Sequence, residues 1–303
     1  MVKPAPTPKP PPASKETAIP TPKSNTPCSA DRAIDHVRAK AKGPPLAPGL
    51  CVTINFHPDA LHDGAPMIAS LARDGFYRSQ FETGISNGAL ATGRGAGRWL
   101  WESRVFGGAY EDDTPAARPK YGALNHANRI TGGSPRFGSA HLRLKPGVLP
   151  RTTFCHPDSH LGPHDFGVAD RMGLLALLGA SQATADPLDH YIEAHIHGPL
   201  SLKNDVHAIV LDPSHRGTAV EDWARALGCA TEWHPGFRMS RARLDDCARY
   251  RDKPTADLAR SLFDGEFLTP SCLGKARRNG PEHTQTLKRV WHCIARFGPP
   301  DAL

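Results

Sequence analysis

Between Tyr191 and His197 the chain alternates with a period of two: Ile192, Ala194 and Ile196 on one side, Tyr191, Glu193, His195 and His197 on the other. That period belongs to an extended strand, not to a helix. The apolar side must be buried against a core, so the fold is built around a sheet. The opposite side carries a carboxylate and two imidazoles spaced about 7 Å apart, from a rise of ~3.3 Å per residue.

Other segments supply partners for this strand. Cys51–Phe56 reads as a buried strand, Ser139–Lys145 alternates Ala140, Leu142 and Leu144 inward with His141, Arg143 and Lys145 outward, and Arg151–Cys155 and Val206–Leu211 are two more. Ala30, Ala33, Ile34, Val37 and Ala41 recur at helical spacing until Gly43-Pro44-Pro45 stops them. Met67, Ile68 and Leu71 mark a short helix ended by Gly75. Asp165–Leu178 is predicted helical, with Val168, Met172 and Leu175 inward. Thr218 and Glu221 form a capping box for a helix carrying Val220, Trp223, Ala224 and Leu227. Beyond Pro235 the chain reads as mainly helical, with Leu287, Val290, Trp291, Ile294 and Phe297 on one stripe. Residues 76–136 have little periodicity and are predicted to be loop-rich and functional. The expected class is α+β.

Residues 1–27 hold nine prolines and six serines or threonines with little apolar mass, so they are predicted to be a disordered leader or tail. The catalytic domain is expected over 28–298, with 226–298 its mainly helical part. No membrane partner is expected: the longest apolar run, Met172–Ala180, falls far short of the ~20 residues of a spanning helix. An apolar signal-peptide region is also lacking at the N-terminus. Seven scattered cysteines without a Cys-x-x-Cys predict reduced thiols. The net charge of +7 comes partly from Lys3, Lys9, Lys15 and Lys23 in the leader, with another basic knot at Lys275, Arg277 and Arg278. Neither group interleaves with aromatics along a helix face, and a nucleic-acid partner is not expected.

Two chemistries fit the polar face of the Tyr191–His197 strand. One is a metal-dependent hydrolase using Glu193, His195 and His197, with His57-Pro58-Asp59 and His156-Pro157-Asp158 as further ligand sources. The other is a single carboxylate that stabilises a cationic sugar transition state. Gly93, Gly95 and Gly97 lack the strand and helix of a dinucleotide-binding turn and are predicted to form a flexible loop. Cys155 and His156, being adjacent on a strand, point to opposite faces and do not make a nucleophile–base pair.

A set of ordered segments carries a resemblance: Asn55–Asp59 (NFHPD), Arg78–Gly88 (RSQFETGISNG), Phe106–Tyr110 (FGGAY), Arg118–Asn125 (RPKYGALN), Gly133–Ser139 (GSPRFGS), Arg151–Cys155 (RTTFC), Tyr191–Gly198 (YIEAHIHG) and Trp233–Phe237 (WHPGF). From about residue 30 to Gly298 the chain resembles a bacterial family long catalogued as a domain of unknown function, whose best-known branch is the CteC-type group of type III secreted mono-ADP-ribosyltransferase effectors. The resemblance implies a split β-sheet core, NAD as substrate, no metal, and transfer of ADP-ribose to a threonine of host ubiquitin in the host cytosol. It implies that Glu193 is catalytic and that His57, at the end of the first core strand, binds NAD. It places Tyr121 or Phe137 against the nicotinamide, and Arg78, Gln80, Thr83, Ser86 and Asn87 around the ribose and diphosphate, with Asn125 completing the set. The strand ending at Leu211 would form a closing hairpin with the Glu193 strand. Transferases that modify arginine carry Gln or Glu two residues before the catalytic glutamate; Tyr191 stands there, which points to a hydroxyl acceptor.

Overall fold

The computed structural model describes residues 27–84, 90–180, 186–279 and 284–300; the proline-rich leader up to residue 26 lies outside them. The fold is α+β. Its centre is one eight-stranded sheet formed by β1 (Val52–Phe56), β2 (Lys120–Leu124), β3 (Ala140–Leu144), β4 (Thr152–His156), β5 (Asp165–Val168), β6 (Ile192–Ile196), β7 (Val206–Leu211) and β8 (Ala230–Trp233). The spatial order is β8-β7-β3-β1-β2-β6-β4-β5. All neighbours are antiparallel except β7 and β8.

The weak link is the pairing of β1 with β2. They meet only at Val52↔Leu124 and Thr53↔Ala123, whereas β1 follows β3 from Thr53 to Phe56 and β2 follows β6 along its whole length. Beyond Thr53 the two halves part, and the loop before β3 occupies the opening. Asn55 Nδ2 donates to the carbonyls of Thr131 and Gly138, and its Oδ1 accepts from Ser134 N–H. Gly133 N–H donates to Thr53 Oγ1. A β-carbon on Gly138 would lie 2.0 Å from the Phe56 carbonyl carbon, so only glycine allows the loop to pass so close to β1.

Two apolar layers cover the sheet. One joins Ile54, Leu142, Phe154, Ile192, Ala194 and Ile196 to α2 (Met67–Asp74) through Ile68 and Leu71. The other covers the opposite face of the β6–β4 half. There α1 (Ser29–Arg38) contributes Ala33 and Val37, and α3 (Gly97–Val105) contributes Trp101 and Val105, with Phe106 and Tyr110 beside them. Helices α4 (Leu174–Ala180) and α5 (Ala219–Arg225) flank the sheet, and α6 (Leu244–Tyr250), α7 (Lys253–Ser261), α8 (Pro270–Asn279) and α9 (Thr284–Phe297) form a helical part around Trp291.

Several expectations are corrected. Residues 76–136 are not only loop: they contain α3 and the central strand β2. Lys120-Tyr-Gly-Ala-Leu has weak strand propensity, and ladders on both sides decide its state. The glycines at 93–97 do lead into a helix, which begins at Gly97. Asp165–Leu178 is not one helix. Asp165–Val168 is an edge strand on β4, the chain turns at Val168–Arg171, and α4 starts at Leu174. The outward side of β3 is not wholly exposed, since His141 is buried. Glu221 accepts from Gly217 N–H and Thr218 Oγ1 from Val220 N–H, so α5 is capped without the reciprocal box. β6 and β7 form no hairpin, because β3, β1 and β2 lie between them. Cys247 and Cys293 are not free thiols: a disulfide joins them, tying α6 to α9 with their Cα atoms 5.5 Å apart. The basic knot is dispersed, with Lys275 paired to Asp264 and Arg277 directed at Asp59. Among the described residues no helix is long and apolar enough to cross a membrane.

Burial of histidines gives the fold an acid sensitivity. Burial, with the His234 and Arg143 charges, pushes His141 down to about 3. Burial, with Arg136, Arg251 and Lys288, does the same to His292, also to about 3. An unfolded histidine titrates near 6.5, so below that pH the unfolded chain binds protons that the fold excludes. Stability present above pH 6.5 is therefore lost as pH falls toward 3, by up to ~1.4 kcal/mol per pH unit for each group. The urea midpoint is expected to drop between pH 7 and pH 5, and a midpoint constant over that range would refute the argument.

Candidate active site

Where the sheet parts, a solvent-open cleft of about 950 Å³ forms. Asn55 comes from β1, Tyr121 and Gly122 from β2, Glu193 from β6, and Ser134, Arg136 and Phe137 from the loop fixed by Asn55. Ser159, in the turn after β4, Arg98 from α3, and Tyr77, Gln80 and Lys288 also line it, as do the carboxylates Asp158 and Asp189.

Glu193 is 6% exposed. Its Oε1 lies 3.0 Å from His195 Nε2, and its Oε2 accepts from the Ser159 hydroxyl at 3.0 Å and from Ser159 N–H at 3.3 Å. Burial alone pushes the carboxyl up, but the hydrogen bond from His195, the charge that ring contributes when protonated, the Arg98 charge and Ser159 outweigh it and hold Glu193 below the usual carboxylate value. Arg98 is itself buried, donates to Ser159 Oγ at 2.7 Å, and lies over the Tyr121 ring at 4.3 Å. The Tyr121 hydroxyl donates to Glu102 Oε1, whose other oxygen accepts from Arg118 Nη1, each at 2.7 Å. Burial raises the Glu102 carboxyl above its usual value despite these partners. The result is an ionised Glu193 carboxylate, held by donors and edged by a cation and an aromatic ring, in a cleft that Asp158 and Asp189 also line.

Of the residues implied by the resemblance, Glu193, Gln80, Tyr121 and Phe137 meet at this cleft. Arg78 and Thr83 line a second cavity of about 770 Å³, which adjoins the first through Tyr77, Gln80 and Tyr121. Arg78 is paired there with Asp74 at 2.9 Å. Ser86 and Asn87 lie outside the described residues. Two residues are placed elsewhere. His57 packs edge-on against Trp291 at 4.8 Å, and Asn55, two residues earlier on the same strand, takes the cleft position. Asn125 clasps the backbone of Arg129 in a local turn.

Sequence reading did not reach Arg98, Ser159, Asn55, Arg136 or Lys288. One signal was present: Arg98 and Glu102 stand one turn apart on the same side of α3 as Trp101 and Val105, the side that has to be buried. The one-turn helix Gln80–Thr83 is set by Ser79, whose Oγ accepts from Glu82 N–H while its own hydroxyl donates to the Pro115 carbonyl. Ser79→Ala is expected to cost about 1–2 kcal/mol, read as a lower urea midpoint; an unchanged midpoint would remove Ser79 from this role.

The metal alternative names Glu193, His195 and His197, and the structure groups two of these with Cys155. Donor atoms of Cys155, Glu193 and His195 do lie within 4.8 Å of one another. Burial pushes the Cys155 thiol well up. His195 Nε2 is already engaged with Glu193. His197 has its two nitrogens on Tyr110 and Thr153, and His156 Nδ1 bonds the Tyr191 carbonyl. Asp158 caps the turn that carries Ser159 and accepts from the Tyr191 hydroxyl.

These features define an α+β protein with a buried, ionised glutamate at the base of a polar cleft. The chain belongs to the family described as protein of unknown function, DUF3626, whose model matches residues 51–182 and 176–297. No curated protein matches the chain.

Proposed function

We propose that this protein is a mono-ADP-ribosyltransferase that moves ADP-ribose from NAD to a side-chain hydroxyl of another protein, a threonine of ubiquitin being the acceptor implied by the resemblance. The observation that carries the reading is Glu193, buried yet held ionised at the floor of an open cleft. A fixed carboxylate in a site of low dielectric stabilises positive charge developing on a ribose far better than one in water. Two kinds of cleft residue support the donor: Phe137, beside Tyr121 whose ring is already met by Arg98, is an aromatic residue for the nicotinamide, and Arg98, Lys288 and Arg136, the last paired to Asp189 at 2.6 Å, are cations for the diphosphate.

In this reading the bond between C1′ of the ribose and the nicotinamide nitrogen breaks, and its electron pair leaves with nicotinamide. The acceptor oxygen then bonds to C1′ and its proton is released to solvent. Secretion as a bacterial effector and action in the host cytosol belong to the same proposal. Its test is the intact mass of ubiquitin after incubation with the full chain and NAD, beside a Glu193→Ala control. A gain of one ADP-ribose, absent with the control, is the expected result. Nicotinamide release without that gain would discard ubiquitin and keep the chemistry. Neither product, with stoichiometric zinc or manganese in the purified protein, would turn the assignment to a metal-dependent hydrolase.

A further inference from the structure

Behind Glu193 runs an unbroken line of buried polar contacts. The Tyr110 hydroxyl lies 2.7 Å from His197 Nδ1, and His197 Nε2 lies 3.0 Å from Thr153 Oγ1. Thr153 Oγ1 lies 3.1 Å from His195 Nδ1, and His195 Nε2 reaches Glu193 Oε1 at 3.0 Å. Every member is at least nine-tenths buried. Aromatic rings enclose the imidazoles: Trp101, Phe106 and Tyr121 stand 5.2–5.5 Å from His195, while Phe106 meets His197 edge-on and Tyr110 stacks on it. Among the described residues the ring nitrogens meet only the partners named and Cys155 Sγ, 3.8 Å from His195 Nε2.

The proton positions follow from these contacts. An ionised Glu193 only accepts, so His195 Nε2 carries a hydrogen. A neutral His195 then accepts at Nδ1, which requires the single Thr153 hydroxyl proton to point at it. Thr153 oxygen is left to accept from His197 Nε2–H, and His197 Nδ1 to accept from the Tyr110 hydroxyl. Each group donates once, in one direction, from phenol to carboxylate. An imidazolium at His195 would instead turn a second N–H toward Thr153 oxygen, send the threonine proton to His197 Nε2 and His197 Nδ1–H to the Tyr110 oxygen, and so reverse the line and leave the buried Tyr110 proton without one of these acceptors. Two environmental effects agree with this order. Burial keeps His197 well below its usual value and hence neutral, with any charge on His195 and then the Arg151 and Lys120 charges lowering it further, and burial pushes the Tyr110 phenol up so that it keeps its proton.

We propose that Thr153, His197 and Tyr110 are positioning residues that lock His195 in its neutral Nε2–H tautomer, giving Glu193 a donor that fixes its carboxylate without cancelling the negative charge. The consequence for turnover rests on the transferase reading above; the tautomer does not. Arg98 already edges the site with one positive charge; a second, on His195 in direct contact with Oε1, would further offset the field that an oxocarbenium ion needs, whereas a neutral N–H orients the oxygen and adds no charge.

The first measurement is ring-nitrogen NMR of the full chain labelled with ¹⁵N-histidine at pH 7, with Thr153→Val and Tyr110→Phe identifying the two signals by their displacement. The expected spectrum has His195 and His197 both neutral and protonated at Nε2. An imidazolium or an Nδ1–H form at His195 overturns the proposal whether or not NAD is consumed. The second measurement is nicotinamide release. Thr153→Val is expected to lower kcat by roughly 10- to 100-fold with KM for NAD within about twofold, and Thr153→Ser, which restores the hydroxyl, to recover most of the loss. Tyr110→Phe serves as the second variant should Thr153→Val fold poorly. Wild-type kcat in folded Thr153→Val, or no recovery with serine, also overturns it. If the wild-type protein releases no nicotinamide, the transferase reading falls and the NMR result alone decides the tautomer.

Discussion

Glu193→Gln is expected to reduce ADP-ribose transfer by roughly 10²–10³-fold or more while KM for NAD changes by only a few-fold. The loss appears in kcat because the ground-state ribose is uncharged, and the carboxylate acts on the charge that develops as nicotinamide departs. Glutamine preserves volume, so the effect isolates charge and donor pattern. Its amide also turns a donor toward either His195 Nε2–H or the Ser159 donors, where Glu193 accepts from both. Donor facing donor in a buried site costs about 1–3 kcal/mol, so the urea midpoint should fall as well. Turnover must therefore be compared at a temperature where both proteins are folded. Near-normal kcat in folded Glu193→Gln would sink the catalytic assignment.

The second large effect lies far along the chain. Trp291→Ala is expected to cost about 3–5 kcal/mol, a large part of the ~5–15 kcal/mol that holds an ordinary domain together. Trp291 is fully buried on α9, meets Phe237 edge-on at 5.1 Å and His57 at 4.8 Å, and donates its indole N–H to the carbonyls of Pro135 and Arg136 at 3.0 Å. Those carbonyls belong to the loop that forms one wall of the cleft. The substitution removes packing and takes the indole donor from both carbonyls, of which Pro135 still accepts from Gly138 N–H. It should raise KM for NAD even where the protein stays folded, because Arg136 and Phe137 lose their anchor. Denaturant unfolding reads the first effect and steady-state kinetics the second. A stability change under about 1 kcal/mol would mean that the site collapses around the cavity far better than close packing allows.

The same residue explains why the C-terminal stripe was legible and its role was not. Leu287, Val290, Trp291 and Ile294 recur at helical spacing and are buried in α9. Helical periodicity names the face to be covered but not its partner. Nothing in the spacing tells that Trp291 closes on residues 135–136. Glu193 stood out for a comparable reason: alternation put it with His195 and His197 on one side of a strand, and β6 has that register.

What the sequence determined alone was local. Apolar residues at periods of two and 3.6 required β1, β3, β4, β6, β7, α1, α2 and α9, since a side chain's direction follows from its neighbours in the chain. Tertiary structure decided the rest. Lys120–Leu124 is a strand because two ladders hold it, Cys247 meets Cys293 because α6 and α9 pack together, and the imidazoles of β6 are buried because α3, Phe106 and Tyr110 cover them. The cleft itself exists because β1 and β2 separate after two paired positions. Burial, donor pairing and the ionisation of Glu193 depend on groups distant in the chain, and long-range packing alone brings Arg98, Ser159 and Glu193 within hydrogen-bonding or Coulombic reach.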